Sequence, residues 1–340
     1  MKILLIGFGV VGQGLAEILR DKAPQLEQAQ GFTAPITGVV TGSKGSLFHA
    51  DGLDITALLA AAQSGSLDAY PEQAGLRRGL SASEMIAAGG ADVLVEMSPT
   101  NLETGQPALA LCHQALDAGL HLVLANKGPV ALDYANLRAK AQASGLQLRY
   151  EATVMAGTPT MQLAEEALAG CEIRAAHGIL NGTTNYMLSQ MEGGLSYAEA
   201  LAQAQALGYA ETDPSGDVEG WDAAGKVLIL ANALFGRGLT MADLDVSGIT
   251  GISAADIAAA AAAGERYKLI AEAAPAGGSV KALRLPLSDP LAGVAGATNA
   301  ITLETDLLGD VTLIGAGAGK LETGSAILSD LLAIQRSAGA

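Results

Sequence analysis

Short apolar runs alternate with amphipathic segments along the first half of the chain. The runs predict buried strands, because they are short and bounded by glycine or polar residues. They lie at residues 2–6, 35–41, 91–97, 121–126 and 146–154. Between them, segments with helical spacing of their apolar positions lie at residues 13–19, 107–120 and 132–145. Strands that alternate with helices are typical of a parallel sheet, so we predict an α/β domain with a doubly wound parallel sheet.

After about residue 150 the pattern changes and predicts a second, α+β domain. Its strand-like runs lie at residues 171–180, 279–288 and 300–308. Its helical segments lie at residues 197–208 and at the start of 254–275, where a strand follows. Residues 315–334 end in an amphipathic helix that we expect to return to the first domain. The expected domains are residues 1–150, 151–304 and 305–340.

Charge and composition exclude several classes of partner. The 35 acidic residues outnumber the 19 basic ones, giving a net charge of -16, which opposes binding to nucleic acids or anionic membranes. No apolar run is long enough to span a bilayer, and we see no signal peptide. Cys112 and Cys171 form no CxxC pair, and the four histidines lack metal-ligand spacing. A reducing, cytoplasmic location is expected, with buried apolar cysteines favoured over nucleophiles.

A glycine motif, GFGVVG at residues 7–12, follows the first strand and opens the first helix. In that context it predicts a dinucleotide-binding loop in a Rossmann-type domain. The alternative interpretation is a strand, a turn and a helix with no ligand. The residues of this loop are Gly7, Gly9, Val10, Val11 and Gly12.

The second strand ends without the carboxylate that binds the 2′-hydroxyl of NAD. Instead, Ser43 and Lys44 follow it, and Lys44 could meet the 2′-phosphate of NADP. The residues therefore favour NADP slightly over NAD, with a solvated turn lysine as the alternative.

A single lysine interrupts an otherwise apolar or small segment. From residue 223 to 235 only Lys226 and Asn232 are polar, and burying an ammonium group is unfavourable unless it is paired. Asp222 precedes Lys226 by four residues, on the same face of a predicted helix. Such a pair is either an ordinary helix salt bridge or an ammonium group that stabilises charge on a reacting carbonyl oxygen.

The second predicted domain contains two clusters of polar residues. Four acids, Glu211, Asp213, Asp217 and Glu219, form either a solvated loop or a site for the ammonium group of an amino-acid substrate. Four small polar residues, Asn181, Thr183, Thr184 and Asn185, follow a predicted strand and form either a turn or a substrate loop.

Several segments, in order along the chain, resemble homoserine dehydrogenase. The segments are GFGVVG (7–12), ANKGP (125–129), EATVMAGTP (151–159), NGTTNYML (181–188), LGYAETDPSGDVEGWDAAGK (207–226) and GAGAG (315–319). The resemblance implies NAD(P)-dependent interconversion of L-aspartate 4-semialdehyde and L-homoserine, a step toward threonine, methionine and isoleucine.

The resemblance also implies roles for individual residues. The implied catalytic residues are Lys226 as the proton donor, Asp222 as its partner and Lys127 near the reacting carbonyl. The implied substrate contacts are Glu211, Asp217, Thr183 and Tyr209. The implied cofactor contacts are Ser98 and Thr100, in the segment that approaches the nicotinamide, together with Lys127 and with Gly317 in the returning C-terminal turn.

Further features rest on the resemblance alone. Backbone carbonyls of Glu151, Val154, Ala156 and Thr158 match a monovalent-cation loop, with Na⁺ the usual ion. A homodimer through the second domain's sheet is implied, as is a short form without the C-terminal regulatory domain of some relatives.

Two alternatives compete with this interpretation. A phosphorylating semialdehyde dehydrogenase needs a cysteine nucleophile with a histidine base, and neither cysteine has a recognisable motif of that kind. A non-catalytic dinucleotide sensor would keep the glycines but has no need for Lys127, Glu211, Asp217, Asp222 and Lys226 together.

Overall fold

A computed structural model describes residues 1–338 and divides the chain into two compact units. The first unit contains residues 1–153 together with the segment that begins at Gly319, and the second contains residues 154–318. The first unit is therefore discontinuous in sequence.

The first unit is built on a seven-stranded sheet in the order β4-β3-β2-β1-β5-β6-β7. The strands are β1 (Ile3–Ile6), β2 (Ile36–Val40), β3 (Ser46–Phe48), β4 (Arg77–Arg78), β5 (Val93–Glu96), β6 (His121–Leu124) and β7 (Leu148–Arg149). Strands β2, β1, β5, β6 and β7 are parallel, which confirms the predicted doubly wound fold. Strands β3 and β4 add an antiparallel edge that the apolar pattern did not predict.

Helices accompany this sheet through most of the first unit. They are α1 (Val10–Asp21), α2 (Ala23–Gln30), α3 (Ile55–Gln63), α4 (Ala82–Ala88), α5 (Ala108–Asp117) and α6 (Lys127–Ala143). Because the strand order reverses between β1 and β5, the carboxyl ends of these two strands form the switch point where α/β sheets bind ligands.

The second unit contains a six-stranded sheet and five helices. Its strands are β8 (Ile173–Ile179), β9 (Asp245–Val246), β10 (Glu265–Ala274), β11 (Gly277–Pro286), β12 (Thr298–Thr305) and β13 (Gly309–Ala316), in the order β13-β12-β8-β10-β11-β9. All pairs are antiparallel except β9 with β11. The helices are α7 (Gly182–Glu192), α8 (Tyr197–Ala206), α9 (Ser215–Val218), α10 (Trp221–Phe235) and α11 (Ala254–Ala262).

The last helix, α12 (Lys320–Ala338), returns to the first unit and packs on α1. Glycine permits the close approach, since a Cβ placed on Gly14 would lie 2.2 Å from the carbonyl oxygen of Lys320. Ile327, Leu331 and Ile334 of this helix join the buried core of the first unit.

Two sequence-based boundaries differ from the structure. Residues 305–318 were expected in the returning segment, but β13 pairs along its length with β12 and therefore belongs to the second unit. The strand expected at 146–154 is only the two residues of β7, because Glu151–Thr153 form a 3-10 turn. None of the helices in residues 1–338 has the length and apolar character needed to cross a membrane.

Candidate active site

The glycine loop lies at the carboxyl end of β1, where Gly7 and Gly12 have steric reasons to be glycine. Gly7 has φ of 93°, and a Cβ there would lie 2.6 Å from the carbonyl oxygen of Met97. Gly9 has open space around its Cβ direction, and Gly12 packs closely against the carbonyl oxygen of Gly7. Gly9 caps α1 without a side-chain hydrogen bond, so the helix presents free N–H groups to an anion. The loop therefore fits the pyrophosphate of a dinucleotide.

Beside this loop, a buried acid organises the segment that follows β5. Glu96 is 0% exposed, and its Oε1 accepts a 2.6 Å hydrogen bond from the backbone N–H of Ser98. Burial raises the pKa of Glu96, while hydrogen bonds from Ser98 and Asn126 act in the opposite direction. The other carboxyl oxygen, Oε2, has no hydrogen-bond partner in residues 1–338.

The amide of Asn126 joins the segment after β5 to the start of α6. Its Nδ2 lies 3.3 Å from the hydroxyl of Ser98, and its Oδ1 accepts from the N–H of Gly128, which caps the helix. Lys127 is the first residue of α6, and its N–H lies 3.4 Å from the hydroxyl oxygen of Thr100. Ser98, Thr100 and Lys127 are thus brought together at one edge of the sheet.

Ser43 and Lys44 lie in the turn between β2 and β3. The Nζ of Lys44 donates a 3.1 Å hydrogen bond to the carbonyl oxygen of Ala62, in the last turn of α3. A cation at a helix C-terminus is favourable, so Lys44 has a structural partner here. Ser43 is exposed.

In the second unit, Lys226 and Asp222 form the predicted pair on α10. Lys226 is 6% exposed and donates to Oδ2 of Asp222 at 2.8 Å and to the carbonyl oxygen of Leu180 at 2.5 Å. An ammonium group has three N–H donors, so one remains for a ligand. Every residue from 223 to 232 on α10 is buried, so the pair is not an ordinary surface salt bridge.

Asn181 connects this pair to Asp217. The Nδ2 of Asn181 donates to Oδ1 of Asp217 at 2.6 Å and to Oδ2 of Asp222 at 3.0 Å. Burial raises the pKa of Asp217, with a further increase from the charge of Asp222, while the hydrogen bond from Asn181 and the charge of Lys226 lower it. The arrangement places an ammonium donor and a half-buried carboxyl group on either side of one amide.

The remaining predicted substrate residues lie around this cluster in different settings. The hydroxyl of Thr183 donates to the carbonyl oxygen of Tyr209 at 2.7 Å, and the ring of Tyr209 lies 5.0 Å from that of Tyr186. Glu211 is exposed.

The predicted cation loop has one unusual backbone conformation. Ala156 has φ of 47°, the left-handed region that residues with a Cβ rarely adopt. The carbonyl oxygen of Thr158 accepts from the hydroxyl of Thr160 at 3.1 Å. No group of three or more His, Cys, Asp and Glu side chains in residues 1–338 could hold a metal ion.

Gly317 follows β13 and lies against a buried amide. A Cβ on Gly317 would lie 2.1 Å from the amide nitrogen of Asn299, so any larger residue here requires the Asn299 side chain to move. Neither polar atom of the Asn299 amide has a partner among the residues that the structure describes.

The cysteines do not support the semialdehyde dehydrogenase alternative. Cys112 is buried, and burial raises the pKa of its thiol well above the ordinary value, with the charge of Glu96 adding to the effect. A nucleophilic cysteine needs the opposite shift.

Comparisons with known proteins cover the whole chain. A family model described as "Homoserine dehydrogenase, NAD binding domain" matches residues 7–151, and one described as "Homoserine dehydrogenase" matches residues 159–332. An NAD(+)-dependent homoserine dehydrogenase of Pseudomonas canavaninivorans is 44% identical, covering 99% of this chain and 97% of the relative. A homoserine dehydrogenase of Methanocaldococcus jannaschii is 41% identical, covering 99% of each chain.

Solved structures agree with these matches. A hyperthermophilic archaeal homoserine dehydrogenase in complex with NADPH has a TM-score of 0.85 and is 28% identical. The match covers 99% of this chain and 98% of that one.

Proposed function

Because the chain belongs to the homoserine dehydrogenase family, we propose that Lys226 is the proton donor of its reaction, with Asp222 as the partner that holds the lysine in place. The reaction is the NAD(P)-dependent interconversion of L-aspartate 4-semialdehyde and L-homoserine in amino-acid biosynthesis. The observation that carries the proposal is the buried ammonium group of Lys226, which keeps a donor beyond its bonds to Asp222 and Leu180.

Charge on the carbonyl oxygen is what the lysine acts on. When bound, the reduced nicotinamide supplies the hydride that reaches the aldehyde carbon. Negative charge then builds on the oxygen, and the Lys226 ammonium donates its proton there, giving the hydroxyl group of homoserine. In the reverse direction neutral Lys226 accepts the hydroxyl proton. Asp222 orients the lysine and stabilises its charged form.

The substrate's amino group is proposed to bind beside Asp217. A substrate ammonium ion would stabilise the carboxylate form of Asp217, offsetting the burial that raises its pKa. Thr183 and Tyr209 are proposed as further substrate contacts, and Glu211 as a second acid for the ammonium group.

The dinucleotide is proposed to bind the glycine loop, from Gly7 to Gly12, through its phosphates. The nicotinamide end is proposed to reach Ser98, Thr100 and Lys127, with Gly317 as a further contact. The support is that Gly7 packs against the backbone of Met97 and Ser98, so the loop and this segment meet at the switch point.

Between the two coenzymes, we propose NADP, with the ammonium group of Lys44 as its 2′-phosphate contact. The bond from Lys44 to Ala62 leaves two N–H donors for a phosphate. The relative from Pseudomonas canavaninivorans is named as NAD(+)-dependent, so NAD is the competing outcome.

A monovalent cation, Na⁺, is proposed at the backbone carbonyls of Glu151, Val154, Ala156 and Thr158. The left-handed conformation of Ala156 supports this proposal, because strained backbone conformations cluster at ligand-binding sites. A homodimer through the second unit's sheet is also proposed, supported by the exposed apolar side chains of Leu283 and Ile314 on that sheet. The cytoplasmic location stays a prediction.

The test of the proton donor is the variant Lys226→Ala. Homoserine oxidation followed by nicotinamide absorbance should fall about 100-fold or more in kcat, the size typical of a lost general acid–base. Dinucleotide binding, measured by protein fluorescence, should persist. Arg20→Ala, which removes an exposed ion pair with Asp21 on α1, is the control. Near-normal turnover in a folded Lys226→Ala protein would rule out the proposed role.

A further inference from the structure

Asn181 connects two carboxyl groups to which the proposed function gives different tasks. It is 4% exposed and lies between the end of β8 and the start of α7. Asp217 is proposed to hold the substrate's ammonium group, and Asp222 the catalytic lysine. The residues are 36 and 41 positions away from Asn181 in sequence, so the fold alone brings them to its amide.

The orientation of this amide follows from its partners. The Oδ1 of Asn181 accepts from the backbone N–H of Thr184 at 2.9 Å and from the Thr184 hydroxyl at 2.9 Å. Since a backbone N–H can only donate, the oxygen must face Thr184 and the NH₂ group must face the carboxyl groups. Both N–H donors of the amide are therefore used, and its oxygen is held by the backbone N–H of Thr184.

The two carboxyl groups need a donor between them. Both accept from the same NH₂ group, at 2.6 and 3.0 Å, so they lie close enough to repel when both are ionised. Burial raises the pKa of Asp217, and the charge of Asp222 adds to the effect. Lys226 bonds to Asp222, so it compensates one of the two charges directly. Asn181 supplies one N–H to each carboxyl group and keeps them at a fixed spacing.

We propose that Asn181 is a positioning residue that sets the distance between the substrate's ammonium site at Asp217 and the proton donor held by Asp222. This inference rests on the proposed function of Asp217, Asp222 and Lys226. Its chemical consequence is selectivity for length, because the ammonium group and the reacting carbon of homoserine stand a fixed number of bonds apart.

The decisive variant is Asn181→Ser. Serine is a good N-cap, so the start of α7 keeps a side-chain acceptor, while both N–H donors to the carboxyl groups are lost. We expect kcat/KM for homoserine to fall about 10- to 100-fold, as for other supports of catalytic groups. The KM for homoserine should rise and kcat should fall, whereas the KM for the dinucleotide and the melting temperature should stay close to those of the parent protein.

Asn181→Asp is the second variant. It also keeps the cap, but it introduces a third carboxyl group, one oxygen of which replaces the NH₂ group. This carboxyl group repels those of Asp217 and Asp222, which the NH₂ group attracted. We expect a larger loss of kcat/KM than for Asn181→Ser. An equal or smaller loss would contradict a role through the two N–H donors.

Ser196→Ala is the matched structural control, because Ser196 caps α8 in the same unit without touching the cluster. It should lower the melting temperature and leave the kinetic constants unchanged. If Asn181→Ser keeps the kinetic constants of the parent protein while Lys226→Ala is inactive, the positioning role is wrong and the proposed function stands. If the parent protein itself does not oxidise homoserine, the proposed function fails first.

Discussion

At the scale of single residues, three buried ionisable groups differ in the partners to which they hydrogen-bond. Lys226 bonds to a carboxyl group, whereas Lys268 bonds only to neutral oxygens, those of Asn185 and Val294. Burial lowers the pKa of Lys268. Glu96 has one partnered oxygen and one without a partner in residues 1–338. The charged partner distinguishes the proposed catalytic lysine from the structural one.

Glu96 gives a prediction for the pH dependence of stability. Its pKa is raised by burial in the folded protein, so the folded state binds more protons than the unfolded state at and above the ordinary glutamate pKa. Stability is therefore lost as the pH rises from that ordinary value through the raised one. Glu96→Gln removes the titration, so its stability relative to the parent should improve as the pH rises through this window.

Urea unfolding from pH 4 to pH 8 measures this difference. Glu84→Gln is a useful control, because the pKa of Glu84 is lowered by its hydrogen bonds to Ser81 in a capping box. Its effect should have the opposite sign, since an acid with a lowered pKa stabilises the fold as the pH rises. A pH-independent difference for Glu96→Gln would show that folding does not shift the pKa of Glu96.

Lys44 gives a prediction for coenzyme choice. Lys44→Ala should raise the KM for NADP about 10-fold or more, as expected for loss of a charged phosphate contact. The KM for NAD should change little. Initial-rate assays with NADP and NAD in parallel measure these KM values. An equal rise in the KM for both coenzymes would show that Lys44 only supports α3.

The residues that the sequence failed to single out share a physical cause. Glu96 ends an apolar strand run, and the pattern does not tell whether such an acid turns inward. Asn181 was seen only as a turn former or part of a substrate loop, because an asparagine before a helix is a common cap. Its bonds to Asp217 and Asp222 depend on tertiary packing, which spacing along the chain does not reveal. The Asp222–Lys226 pair was predictable because it lies within one helix.

At the scale of elements, the contact between α1 and α12 depends on glycine. A Cβ on Gly14 would meet the backbone of Lys320, and a Cβ on Gly324 would lie 2.8 Å from the backbone nitrogen of Leu15. Backbone atoms cannot move aside as a flexible side chain can. The two helices can therefore approach this closely only because both positions at the crossing are glycine.

Gly14→Ala should therefore destabilise the protein. The substitution gains up to about 1 kcal/mol of helix propensity, but overpacking a close contact costs about 1–3 kcal/mol, and the contact with Lys320 is severe enough for the cost to win. Gly251→Ala, where nothing lies near the new Cβ, is the control. Urea unfolding should show a lower midpoint for Gly14→Ala alone.

Helices such as α5, α6 and α8 were predictable because their apolar period is local, whereas α2, α3, α4 and α7 were not predicted as helices. Among the strands, the exceptions are short or glycine-rich. Strands β3 and β4 have three and two residues, too few for a pattern. Strand β13 ends in the glycine-rich segment that read as a turn, and only its ladder with β12 makes it a strand. Edge strands of this kind are defined by their partner more than by their own residues.

At the scale of the whole molecule, the first unit is completed by the last helix of the chain. Leu331 is 0% exposed in its core, whereas Leu321, on the same helix, is 50% exposed. Leu331→Ala should lower the free energy of unfolding by about 2–5 kcal/mol, the usual effect of deleting a buried leucine side chain. Leu321→Ala should change it by less than about 0.5 kcal/mol.

Calorimetry of both variants tests this difference. The buried variant should also lose dinucleotide affinity as its melting temperature is approached, because α12 packs on the helix that begins in the glycine loop. Equal melting temperatures for the two variants would show that α12 contributes little to the first unit.

The return of α12 has a consequence for synthesis. A ribosome makes the glycine loop and its sheet first, yet the helix that covers α1 emerges only after the entire second unit. We therefore expect part of the apolar core of the first unit to stay uncovered until α12 has been synthesised. The second unit is continuous in sequence, so its folding does not depend on a later segment. We expect a chain that ends before α12 to leave part of the core of the first unit uncovered, so that proteases would cleave incomplete copies more readily than full-length ones.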